Sequence, residues 1–145
     1  MKSVNPLFVS ALYYGINKGI GEVMGSGGMV LSRVTSKAML EFLREKGILH
    51  ENMSDDEVKE LFVKVLGLSE DLEIQEDEME VSFVVVKPTL VDFLKKVTEE
   101  NIKPYICPFI HILAKVYENG KDYKLMLEDV FPEGDVVKLK FKKVR

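Results

Sequence analysis

Apolar residues recur along this chain at two different periods, and the change from one to the other marks out its elements. Phe8, Leu12, Ile16 and Val23 follow helical spacing to about Met24. Asn5-Pro6 opens that helix well, because asparagine caps free amide donors and proline suits the first helical position. The Gly25-Ser26-Gly27-Gly28 run breaks the chain before a second helix. Leu31, Val34, Ala38 and Phe42, with Val30 and Leu43 adjacent, form its apolar side, and Gly47 after Lys46 stops it. A third helix has the strongest signature. Ser54-Asp55-Asp56-Glu57 is a capping box, and Val58, Leu61, Phe62, Val65 and Leu66 fall at i, i+3, i+4, i+7 and i+8.

The period then changes to two. Residues 72–75 and 79–86 read as strands around a Glu76-Asp77-Glu78 turn, and in 81–86 both faces are apolar or small, as in a strand covered on both sides. Lys87-Pro88-Thr89 ends that strand. Leu90, Phe93, Leu94 and Val97 mark a fourth helix to about Asn101, and Pro108 starts a fifth over 109–118, apolar on most sides. Residues 123–131, a Pro132-Glu133-Gly134-Asp135 turn and residues 136–144 close the chain as a hairpin. In its last strand Val137, Leu139 and Phe141 alternate with Lys138, Lys140 and Lys142. The pattern predicts an α+β fold: five helices packed on a four-stranded antiparallel sheet, in the order α-α-α-β-β-α-α-β-β. No internal repeat interrupts it, and 1–145 reads as a single domain.

Composition narrows the class without naming a reaction. With 145 residues, 46% of them hydrophobic, the chain is long enough to bury a core unaided, and one cysteine excludes a disulfide framework. No run of roughly 18 apolar residues predicts a membrane span, and Asn5, Pro6 and Ser10 interrupt any N-terminal signal, so a cytoplasmic location is expected. The net charge of −4 argues against nucleic acid as a partner. Lys and Glu dominate the charged set and Gln75 is the single glutamine, a bias found in thermophile proteins, archaeal ones included. Acids crowd residues 51–80, from Glu51 and Asp55 to Glu76 and Glu80, with only Lys59 and Lys64 against them; this reads as a solvated acidic face. The lysines of 138–143 read as the wet face of a strand.

Three features bear on chemistry. Gly15, Gly19, Gly21 and Gly25 each cost about 1 kcal/mol against alanine inside a helix. Gly15-x-x-x-Gly19 leaves two missing side chains on one face, where a second helix can come close, a dimer seam among the possibilities. A flexible turn, a pocket wall or a nucleotide loop are the alternatives, but no strand precedes the run and no Lys-Ser or Lys-Thr closes it. Cys107-Pro108-x-x-His111 is the second feature. A cysteine at a helix start tends toward thiolate, and His111 shares its face. They are weak metal candidates, since His50 is distant and a catalytic zinc takes three protein ligands, so no metal and no cofactor is assigned. His111, Lys115 and Glu118 share one side of the fifth helix and read as its polar stripe. The third feature is aromatic: Tyr13, Phe42, Phe93, Tyr105 and Phe109, with His111 as a polar anchor, are the residues expected around a small hydrophobic ligand. No nucleophile, base and oxyanion donor can be assembled, so an enzyme ranks below a binding domain or an interaction scaffold.

The second half of the chain carries a family resemblance. Cys107-Pro108-Phe109-Ile110, then Gly120, then 123–127 with Glu128, then Pro132-Glu133-Gly134-Asp135 and the closing strand resemble the 4-vinyl-reductase-type domain, and the glycine-rich first helix is similar to its N-terminal helices. That family includes hydrocarbon-binding modules, sensing domains of aromatic-responsive regulators and core subunits of a transport-particle tethering complex. The resemblance implies a dimeric, small-molecule-binding domain, sensor or carrier, with an apolar pocket between helices and sheet; a homodimeric scaffold without ligand is the alternative. Many members carry further cysteines beside the Gly-Asp turn. Here Phe131 and Phe141 stand at that hairpin and no cysteine does, so any metal or redox role does not carry over.

Overall fold

Asn5 accepts a hydrogen bond from the Leu7 amide at 2.8 Å, and Pro6 follows as the first residue of helix α1, Pro6–Met24. The structure is a computed structural model and describes residues 3–145. A three-residue 3-10 turn, Gly25–Gly27, leads into α2, Gly28–Glu45. Helix α3, Asp55–Glu60, begins on the expected capping box: Glu57 N–H donates to Ser54 Oγ at 3.2 Å, and Ser54 N–H donates to the Glu57 carboxylate at 3.0 Å. A π turn, Leu61–Val65, continues it and rotates Leu61 and Phe62 into the core. Strands β1, Asp71–Glu76, and β2, Glu80–Val86, precede helices α4, Val91–Glu99, and α5, Pro108–Glu118. Strands β3, Lys124–Glu133, and β4, Val136–Val144, complete a mixed α/β fold with four helices of nine residues or more and one shorter helical segment.

The two hairpins join through antiparallel pairing of β2 with β4, in the order β1-β2-β4-β3. Val81↔Phe141, Phe83↔Leu139 and Val85↔Val137 form an inner row, all buried. Phe83 meets Phe141 and Tyr117 edge-on, with centroids 5.6 and 5.4 Å apart. Eight of the eleven residues of α5 are buried. The closing turn is shorter than its composition predicts: Pro132 and Glu133 belong to β3, and only Gly134 and Asp135 turn the chain. Gly134 has φ +61°, the conformation a two-residue hairpin fills with glycine, and Pro132 is tolerated because β3 is an edge strand.

Helices α1 and α2 lie the other way round from what their apolar spacing suggests. The buried residues of α1 are Ser10, Asn17 and Ile20, whereas Phe8, Leu12 and Val23 are 64, 50 and 85% exposed. In α2 the buried set is Gly28, Ser36 and Leu40, and Val30, Val34 and Phe42 face solvent. Asn17 explains the choice in α1. Its amide donates to the Ile106 and Tyr13 carbonyls at 2.8 and 2.7 Å and accepts from Ile106 N–H at 2.8 Å, so burying it satisfies backbone that would otherwise be orphaned.

The glycine that packing demands is Gly28. A Cβ there meets Ile20 Cγ2 and Tyr105 Cε1, both at 2.8 Å, whereas at Gly15, Gly19 and Gly21 it meets nothing within 4 Å. Gly28→Ala is expected to destabilise by about 1–2 kcal/mol despite the better helix former. Gly21→Ala should stabilise by up to about 1 kcal/mol. Thermal unfolding of the two variants checks the contrast, and equal melting temperatures would contradict it.

Candidate functional site

The link between α4 and α5 forms one wall of a cleft. Asn101 turns the chain at φ +54°, a left-handed conformation asparagine adopts more readily than most residues, and Ile102 N–H donates to Val97 O at 2.8 Å to close the helix. Tyr105 then reaches across to donate from its hydroxyl to Gly25 O at 3.2 Å, and Asn17 holds Ile106 from below. The opposite wall is β3, whose register against β4 slips between Leu127 and Asp129. The residues on both sides of that slip, from Leu127 to Val130, line the cleft, which is open on one side. The first turn of α2 closes one end with Met29 and Ser32. The enclosed volume is 310 Å³, at the small end of ligand-sized sites. Val97, Ile102, Ile110, Leu127 and Val130 supply apolar wall, and Ser32, Asn101 and Lys103 stand at it with no side-chain hydrogen bond or ion pair among the described residues.

Of the residues expected around a ligand, Tyr105 lines this cleft. Tyr13 packs against Phe93 with centroids 5.7 Å apart, and Phe109 against Phe62 at 5.8 Å. Phe93 and Phe109 are fully buried in the core, His111 is buried beside α2, and Phe42 is exposed on the outside of α2. The area of Phe93 and Phe109 draws them into the core, whereas Phe42, at the same helical spacing, lies outside it. The aliphatic cleft walls combine Val97 of α4 and Ile110 of α5 with Ile102 of the link and Leu127 and Val130 of β3, and helical spacing alone does not tell which helix residues meet an edge strand.

The Cys107–His111 pair is placed differently from its sequence reading. Cys107 is fully buried at the start of α5. Burial pushes its thiol up to about 12, although the Phe109 and Ile110 amides pull the other way. It is therefore a buried thiol and not the thiolate its helix-start position suggests. His111, 3% exposed, shares a hydrogen bond between its Nδ1 and Ser36 Oγ, and burial, then Lys115, presses its pKa down to about 4. Among the described residues no three His, Cys, Asp or Glu side chains are grouped to hold a metal ion. The polar stripe on α5 faces inward. Glu118 is buried, accepts from Leu125 N–H at 2.7 Å and meets Lys115 at 3.4 Å, so it caps the start of β3.

One acid of the crowded stretch, still partly exposed, is bound to buried donors. Glu76 accepts hydrogen bonds from the Tyr117 hydroxyl, from Tyr123 Oη at 3.1 Å and from Lys143 Nζ at 2.6 Å. Lys143 is buried on the inner row of β4, in contrast to the wet face expected of the lysines at 138–143. Lys140 does lie on the outer face, where it meets Glu80 at 2.9 Å and Glu128 at 3.7 Å. No helix among the described residues is long and apolar enough to cross a membrane.

No protein-family model matches the sequence. It is similar to an archaeal protein, the uncharacterized protein MJ0758 of Methanocaldococcus jannaschii, with 54% identity over 144 residues that span 99% of this chain and 91% of that one. Identity at that level over nearly the whole of both chains places this protein in the family of MJ0758.

Proposed function

We propose that this chain is a homodimeric domain of the 4-vinyl-reductase type that binds a small, largely apolar molecule in the cytoplasm, as a sensor or carrier, at the cleft between helices and β3. On this reading the α3 segment and its π turn count as one helix, which keeps the five-helix order α-α-α-β-β-α-α-β-β that the hydrophobic pattern predicts. The observation that supports the binding reading is the cleft itself: aliphatic residues on both walls, with Thr98, Glu128 and Asp129 at the same lining, and Ser32, Asn101 and Lys103 without side-chain partners among the described residues and so free to hold one end of a ligand. Displacing water from such walls favours binding by about 25 cal/mol per Å² of apolar area removed from solvent.

Native mass spectrometry of freshly purified protein tests this. A retained non-protein mass is expected, and Ile110→Arg, which fills the cleft, should lose it while the protein stays folded by circular dichroism. A bare protein whose melting temperature no fatty acid or aromatic hydrocarbon raises would rule the cleft out as a binding site. The scaffold reading has its own support in the exposed apolar stripe of α1. A bare dimer in the same experiment would favour it.

A further inference from the structure

We propose that the Ser36–His111 contact is a proton-operated latch, holding α2 on α5 while the imidazole is neutral and releasing it when the ring takes a second proton. Both side chains are 3% exposed. Among the described residues this is the one side-chain hydrogen bond between α2 and another element, and α2 enters no ion pair. Apolar packing through residues such as Leu40 does the rest, and the outer side of the helix, with Val30, Val34 and Phe42, is open to solvent.

The second ring nitrogen makes the contact proton-sensitive. His111 Nε2 is buried with no hydrogen-bond partner. A neutral imidazole tolerates this, because its Nδ1 is satisfied by Ser36 and the ring carries no charge. A doubly protonated ring has two N–H donors, of which Ser36 can accept one, and leaves a charged donor buried and unmatched. Nothing near compensates. From α5 the neighbours are Lys115, a cation, and the buried Cys107; Glu118 is already engaged by Leu125 N–H and Lys115. From α2 the inner residues are neutral, with Arg33 and Lys37 exposed. From α3, Val58 is buried while Asp55, Asp56 and Glu57 are exposed, and from β3, Leu125 is buried while Lys124, Glu128 and Asp129 are exposed.

Once α2 swings away, the ring enters water and regains its ordinary pKa of 6.5, against about 4 in the docked state. The opening equilibrium of α2 should therefore rise as pH falls, by about thirty-fold between pH 7.5 and 5 and by more than about a hundredfold at pH 4. Release would move Met29 and Ser32 out of the cleft wall and shift the outer apolar side, but α2 can be followed directly, so the outcome does not depend on either surface binding anything.

Hydrogen exchange read by mass spectrometry at pH 7.5, 6 and 5, corrected for intrinsic rates, is the test. Protection of α2 amides should drop about thirty-fold by pH 5 and stay below that of β2 and β4 at every pH, because α2 opens before the chain unfolds, and His111→Asn, a neutral group beside Ser36, should remove the drop. The latch is overturned if α2 protection in the wild type is unchanged to pH 5, if α2 amides are as protected as those of the sheet at every pH and so open only with the whole chain, or if His111→Asn loses protection equally. Should that variant fail to fold, the His111 ring resonances decide: a titration midpoint near 4 that coincides with α2 opening supports the latch, and a midpoint near 6.5 overturns it.

Discussion

Replacing Glu76 by leucine should lower the unfolding free energy by about 3 kcal/mol and the melting temperature by about 6–12 °C. Glu76 is the acceptor for three donors at once: Tyr117, which is almost fully buried, Tyr123, and the ammonium of Lys143. Leucine leaves each without it. A buried donor stripped of its partner costs about 1–3 kcal/mol, and an ammonium more. The total is held to about 3 because the Glu76 side chain is 36% exposed, so water can enter, and because Lys143 still reaches Asp77 O at 2.6 Å. Glu73→Leu, on the exposed side of the same strand, is the control and should change stability by less than about 0.5 kcal/mol. Equal denaturant midpoints for the two variants would mean that the cluster contributes nothing.

The same residue shapes the acid limb of stability. Burial pushes the Glu76 carboxyl up, but Lys143 and the two tyrosine hydroxyls outweigh it and hold the group below its ordinary 4.5. The unfolded chain therefore binds this proton first as pH falls, so the contribution is whole above about 4.5 and is lost below it. His111 acts higher on the scale and with the same sign. Its folded pKa of about 4 lies under the unfolded 6.5, so stability declines as pH falls through that interval, by up to about 3 kcal/mol. Urea titrations should show two segments, of which His111→Asn removes the upper and Glu76→Leu the lower.

Leu12→Glu should convert a dimer to monomer. Phe8, Leu12, Ile16 and Val23 form an exposed uncharged stripe on α1, with Gly15 and Gly19 between them where an added Cβ meets nothing. A second copy of α1 fits such a surface, since the missing side chains admit close approach and an isologous contact counts each substitution twice. Losing one buried leucine per copy removes about 3–6 kcal/mol of association, or roughly 10²–10⁴ in Kd. Gly19→Leu tests the same surface from the opposite direction, by adding bulk that the isolated subunit does not notice. Light scattering at about 50 µM reads both; a monomeric wild type, or an intact Gly19→Leu dimer, removes the seam.

The capping box at Ser54, the Asn5-Pro6 helix start and the alternation of Val137, Leu139 and Phe141 were legible because each is a local event, decided by hydrogen bonds or side-chain period within a few residues. The cleft was legible only at Tyr105. Its other walls bring residues of α2, α4 and α5 against β3, a juxtaposition of elements distant in sequence, and the register slip in β3 and the left-handed Asn101 beside it have no residue code of their own. Glu118, Lys143 and His111 read as surface groups by type and became interior ones, and Glu76, still partly exposed, became the acceptor for Lys143, because partners distant in sequence were waiting for them.

What the sequence by itself determined is therefore the class and the elements: an α+β chain with a four-stranded antiparallel sheet, whose capped helices and alternating strands follow from backbone and side-chain periodicity. Tertiary structure alone decided which side of α1 and α2 faces inward, whereas Phe93, Leu94 and Val97 of α4, with Leu90 at its start, are buried as their spacing predicts. In α1 a buried asparagine with three hydrogen bonds outweighed a stripe of leucine and phenylalanine, because an unsatisfied backbone group inside costs more than an apolar side chain outside. That decision leaves the apolar stripe of α1 exposed, while Ser36 of α2 meets His111 in the interior.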